Sequence, residues 1–111
     1  MQVGTILGFQ NPDRWRTAWP QVYADGLRFA AEADELGLDE VWLTEHHFAD
    51  DGYCPALLPV AGAIASRTRR IRIGTKVLLM PFHNPLRLAE DAAVVDLLSA
   101  GRLDLGIAAG Y

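Results

Sequence analysis

Phe9 to Trp19, FQNPDRWRTAW, carries an Asn-Pro step, an aspartate, two arginines and two tryptophans without any period, and it reads as a loop. Before it, Met1 to Gly8 (MQVGTILG) is a short apolar run with β-branched residues, closed by glycine, which suits a buried strand. After it, Pro20 supplies a first helical position, and Gln21, Asp25, Arg28, Glu32 and Glu35 recur at helical spacing as one polar stripe. Val22, Gly26, Phe29, Ala30, Ala33 and Leu36 make the opposite, apolar face, and Gly37 ends the helix. The loop therefore links the carboxyl end of a strand to a helix, where a dinucleotide or P-loop fold sets a glycine-rich phosphate cradle. FQNPDRWRTAW contains no glycine.

Further on, Asp39 to Thr44 (DEVWLT) reads as a second strand, and an apolar helix with small residues runs from Leu57 to Ser66. Ile71 to Leu79 (IRIGTKVLL) reads as a third strand, with Ile71, Ile73, Thr75, Val77 and Leu79 on one face. Asn84-Pro85 is an N-cap followed by a first-turn proline, opening a helix to Leu98 before Gly101, and Leu103 to Ala109 (LDLGIAA) reads as a fourth strand. The order β-α-β-α-β-α-β, with no hairpin signal, makes a parallel sheet. A small doubly wound sheet and part of a (β/α)₈ barrel both satisfy it, and the missing phosphate cradle favours the barrel. A complete barrel takes about 250 residues. Residues 1–111 are therefore expected to be a single incomplete domain: the amino-terminal half of a TIM barrel, with its first four parallel strands and three helices, ending before closure.

Half the residues are apolar and the formal net charge is −4, which excludes a general attraction to nucleic acid or anionic lipid. Arg67, Arg69, Arg70 and Arg72 cluster where a helix hands over to a strand, and with no interleaved aromatic residue they read as a solvated rim. Cys54 stands alone, so no intrachain disulfide forms. No apolar run approaches membrane-spanning length and no leader-like segment opens the chain, so a cytoplasmic location is expected.

Glu45-His46-His47-Phe48 leaves the carboxyl end of the second strand, the face of a (β/α)₈ barrel where catalytic groups collect. Strand alternation puts His46 on the face of Trp42 and Thr44, with Glu45 and His47 on the other, so that one imidazole enters a pocket while the other supports it. An imidazole exchanges a proton near neutral pH, and a neighbouring carboxylate fixes its tautomer. Adjacent histidines do not turn readily onto one ion, and there is no HExxH or cysteine pair, so no metal site is expected.

Trp42 to Phe48 (WLTEHHF), Ile73-Gly74-Thr75, Pro81 to Asp91 (PFHNPLRLAED), Asp96 to Arg102 (DLLSAGR) and Gly106-Ile107 resemble, in order and spacing, consecutive motifs of the bacterial luciferase-like flavin monooxygenases. The resemblance implies an enzyme that uses reduced FMN and O₂ to oxygenate a small organic substrate, supplied by a separate flavin reductase, and a homo-oligomer. It implies that His46 is the catalytic base or donor beside the flavin, with Glu45 and His47 close by, and that Phe48 walls the substrate pocket. It also implies a non-proline cis bond at Lys76-Val77, and flavin contacts from Lys76, Val77, Ala108, Ala109, Gly110 and Tyr111.

Two positions depart from the family pattern. Lys76 stands where smaller or apolar residues are usual, and Ala108-Ala109 stand where many relatives place an arginine on the flavin phosphate. F420-dependent hydride transfer on the same fold, and a non-catalytic half-barrel that self-associates, are the alternatives. Arg87, Glu90, Asp91, Asp96 and Arg102 read as structural anchors around the last helix.

Overall fold

The structure, a computed structural model, describes residues 1–110. Strands β1 (Gly4–Leu7), β2 (Glu40–Leu43), β3 (Arg72–Thr75) and β5 (Leu103–Asp104) form one parallel sheet in the order β1-β2-β3-β5, and β4 (Leu78–Leu79) pairs in parallel with β6 (Ile107–Ala108). Helices α1 (Trp19–Glu35), α2 (Leu57–Ala65) and α3 (Pro85–Ser99) make the crossovers. Successive strands are neighbours throughout, so right-handed crossovers lay every helix on the same face, and α2 packs against both α1 and α3. A doubly wound sheet would reverse its strand order and carry helices on both faces. The winding is that of a (β/α)₈ barrel, in its first four strand positions and three helices.

Register decides what each face does. Val41 of β2 is level with Ile73 of β3, and Leu43 with Thr75. Val41, Leu43 and Ile73 are fully buried against Ala30, Ala61 and Ile64 of the helices. The opposite face carries Ile6, Trp42, Gly74 and Asp104 in register, and the Trp42 indole occupies the space a Cβ on Gly74 would need, within 2.2 Å.

Three expectations are corrected. The third strand is not continuous: Ile71, Ile73, Gly74 and Thr75 are buried, Lys76 is exposed, and burial resumes at Leu78 in place of Val77 and Leu79, across a Lys76–Val77 bond that is cis. The fourth strand likewise breaks between Asp104 and Ile107, because Thr75 Oγ1 donates to the Gly106 carbonyl (2.8 Å) and accepts from its N–H (2.9 Å). No side chain fits at Gly106, where a Cβ would lie 2.3 Å from the Thr75 carbonyl oxygen. On α1, Phe29 and Leu36 lie outside the core: Phe29 lines a groove beside β1, and Leu36, at the C-cap, is 81% exposed.

Arg102 is the anchor among the charges around α3, whereas Arg87, Glu90 and Asp91 pair with one another on its exposed surface. Arg102 uses its whole fork: Nε donates to Ser99 O (2.6 Å), Nη1 to Thr68 Oγ1 (2.9 Å) and Ile71 O (2.8 Å), and Nη2 to Ala65 O (3.2 Å) and Thr68 O (3.1 Å). It thereby closes the carboxyl end of α2 and ties α3 to the start of β3. Within the arginine rim, Arg72 pairs with Asp104 (2.6 Å). Asn84 caps α3 by accepting from Leu86 N (3.0 Å) and Arg87 N (3.2 Å). Among the described residues, no helix is long and apolar enough to cross a membrane.

Asp34 is the anchor that sequence reading passed over. Buried at the end of α1, it accepts from the backbone N–H groups of Arg69 (2.8 Å), Arg70 (2.9 Å) and Ile71 (2.7 Å). Burial pushes its pKa up, but those three donors and the Arg70 charge outweigh it and hold the carboxyl below its ordinary 3.8. A depressed carboxylate pKa stabilises the fold above the unfolded value and loses that contribution as pH falls through the folded one. Asp34→Asn is expected to cost about 2 kcal/mol at pH 7. In urea denaturation the gap between variant and wild type should hold at neutral pH and shrink below about pH 4; a gap that does not change with pH would refute this role.

Candidate active site

The site is assembled from the segments that leave β2, β4 and β6. Beyond β2 the chain alternates for one more residue, which turns Glu45 inward and sets it in parallel bridge with Cys54. The intervening loop folds back through an Ala49–Gly52 bridge, and it is sewn to the loop after β1 by a Gln10–Gly52 bridge and by Asn11 N donating to Asp51 O (2.6 Å). Asn11 is itself buried, its side chain accepting from Thr17 N (3.0 Å) and donating to Thr17 O (2.9 Å). The aperiodic Phe9–Trp19 stretch thus acts as a fixed brace for the histidine loop.

The Glu45 side chain is 1% exposed. Its Oε2 accepts from Leu79 N (3.0 Å) and its Oε1 from His47 Nε2 (2.7 Å). That pairing assigns His47 the Nε2–H tautomer. His46 lies over Tyr53, ring centroids 4.1 Å apart, and both imidazoles reach a cleft of ≈ 310 Å³. Phe48 joins them from the same loop; Leu79, Pro81 and Phe82 come from β4 and the turn after it, and Ala109 and Gly110 from beyond β6. Phe82 packs on His47 at 4.4 Å.

Five residues singled out in the sequence therefore meet in one cleft: His46, His47, Phe48, Ala109 and Gly110. Glu45 sits behind it as support. Phe48 is fully exposed on a left-handed backbone (φ 58°), a rim group and not a core phenylalanine. Lys76 is exposed, and neither it, Val77 nor Ala108 lines the cleft; Ala108 pairs with Leu79 in the strand beneath. Tyr111 lies outside the described residues. Sequence reading missed Phe82 and His83, which it took only as parts of a longer motif. His83 Nε2 lies 3.7 Å from Glu45 Oε1.

Other reactive groups nearby are quiet. Cys54 is 1% exposed, and burial, then the Glu45 charge, pushes its thiol up, so no thiolate is available near neutral pH. The same burial, with Cys54 beside it, raises Tyr23. A larger groove of ≈ 570 Å³ follows β1, but its charged residues, Asp25, Arg28 and Glu32, are ion-paired along α1 and it holds no histidine. Among the described residues, no three His, Cys, Asp or Glu side chains are grouped to hold a metal ion.

Known proteins resemble this chain in sequence and fold. The oxygenase component of the flavin-dependent trigonelline monooxygenase of Acinetobacter baylyi is 36% identical over 90 residues, covering 81% of this chain and 25% of that protein. The F420-dependent glucose-6-phosphate dehydrogenase of Amycolatopsis mediterranei is 40% identical over 90 residues, covering 78% of this chain and 27% of that one. In structure, the oxygenating constituent of 3,6-diketocamphane monooxygenase of Pseudomonas putida, solved with FMN, superposes with a TM-score of 0.88 at 28% identity, over 100% of this chain and 30% of that one. The chain thus spans between a quarter and a third of the length of these relatives. The luciferase-like monooxygenase profile matches residues 1–111, and with the shared fold this places the chain in the luciferase-like monooxygenase family.

Proposed function

We propose that this chain forms the catalytic rim of a flavin-dependent monooxygenase that oxygenates a small organic substrate with O₂, working with reduced FMN from a separate reductase. The observation that carries the reading is the convergence of His46 and His47 with Ala109 and Gly110 on one cleft at the carboxyl ends of parallel strands. The residues fit the ring of the cofactor: Leu79, Ala109 and Gly110 offer small, apolar walls to a flat surface, and two imidazoles stand beside it. They offer less to its phosphate, since no Lys or Arg lines the cleft.

Bound there, reduced FMN would supply the electrons that activate O₂. His46 holds or delivers a proton at an imidazole nitrogen, with Tyr53 fixing the ring plane. Glu45 orients His47, and Phe82, packed on the His47 ring, shields it from water. In the full-length enzyme, His46→Ala should lower kcat at least about 100-fold, with the far-ultraviolet circular dichroism unchanged; retained turnover would remove the assignment.

A second reading keeps the cleft and replaces oxygenation by F420-dependent hydride transfer. The 40% identity to an F420-dependent dehydrogenase supports it. Titrating the full-length apoprotein with each cofactor separates the two: FMN binding at least tenfold tighter supports oxygenation, and the reverse order supports hydride transfer.

Self-association belongs to the same proposal. Val94, Leu97 and Leu98 are 55%, 80% and 62% exposed on the outer side of α3, beside an apolar groove floored by Leu58 and Val95. Burying such a surface between two copies would drive pairing. Sedimentation should show a dimer that Leu97→Glu with Leu98→Glu converts to monomer; a wild-type monomer at all concentrations would exclude it.

A further inference from the structure

We propose that His83 is a positioning residue of this cleft: its Nε2 is the reserve donor for Glu45 Oε1 and takes that oxygen when His47 swings toward a bound ligand. The role rests on the cleft being the ligand site. His83 Nε2 is buried and, among the described residues, has no hydrogen-bond partner, yet it lies 3.7 Å from an oxygen that His47 already occupies at 2.7 Å. A shift of about 0.5 Å brings it within hydrogen-bond range. A carboxylate oxygen has room for two donors, and a buried one left with none is heavily penalised.

The two imidazoles differ in how they are held. His83 follows the turn Met80–Phe82, its N–H donating to Met80 O (3.0 Å), and it immediately precedes Asn84, the cap of α3. It is anchored to the scaffold. His47 rides on the loop between β2 and α2 and reaches the cleft itself. The neighbouring titratable group, the Cys54 thiol, is held neutral and already donates to Ala56 O (3.4 Å), so it does not compete for the carboxylate. With His83 in reserve, His47 can leave Glu45 without stranding a buried charge.

The test is side-chain ¹H–¹⁵N NMR of the chain without cofactor, for wild type, His47→Leu and His47→Gln. In His47→Leu, His83 should acquire a slowly exchanging Nε2–H; in His47→Gln, whose amide still reaches Glu45, it should keep the wild-type signal. An identical His83 signature in all three would overturn the proposal. If His47→Leu does not fold, His83→Leu carries the test: loss of the competitor should slow exchange of the His47 Nε2 proton at least threefold, and an unchanged rate would refute it. Neither signal needs flavin, so failure of the flavin reading and failure of this one are separate results.

Discussion

A carboxylate with 1% of its side chain exposed has to be surrounded by donors, and Glu45 finds them on segments far apart in sequence. Leu79 N reaches Oε2 from β4, His47 reaches Oε1 from the loop after β2, and His83 waits at the threshold of α3. This one group therefore fixes two things together: how the tip of β2 meets β4, and where the histidine loop lies. The constraint is chemical as well as steric.

The opposite end of the sheet is governed by the same need to satisfy buried polar groups. Asp34 collects the N–H groups that lead into β3, and Arg102 collects the carbonyls that end α2 and lead out of α3. Each anchors a crossover where backbone groups would otherwise be orphaned. With these ends fixed, the carboxyl-terminal tips hold a constant relation to one another, and so do the imidazoles and the Ala109–Gly110 wall. The amino-terminal rim supplies rigidity, and on the proposed reading the carboxyl-terminal rim supplies chemistry.

Element order, parallel winding and the caps of α3 were legible because each has a local cause: helical spacing in α1, Asn84-Pro85 before α3, and Ala100 and Gly101 in left-handed conformations after it. The breaks in the third and fourth strands were not, because they depend on a partner more than 30 residues away, the Thr75 hydroxyl that takes the Gly106 N–H and shares its carbonyl with Leu78 N. Burial of the even-numbered Leu78 follows from the same interruption. The neighbourhood of His46, His47, Phe48, Ala109 and Gly110 could be anticipated from motif resemblance and strand ends. That Glu45 and His47 share a face followed from the strand's alternation, and the structure pairs them; His83 behind them could not be read, because it arrives from the turn before α3. Phe29 and Leu36 show the limit of periodicity: it finds an apolar face but not which part of that face meets a neighbour.

The composition of the cleft bears on how binding energy would be divided. Its walls offer apolar contact, aromatic edges and two imidazoles, but no permanent positive charge. A flavin or deazaflavin ring is recognised by the first set of groups and its phosphate by charge-assisted donors of the second kind. On the proposed reading, these residues therefore orient the reacting ring and handle protons, while affinity for the anionic tail must come from other positions of a complete barrel. Alanine at 108 and 109 is then a consistent feature of the site: Ala108 packs in β6 beside Leu79, and Ala109 leaves the ring face unobstructed.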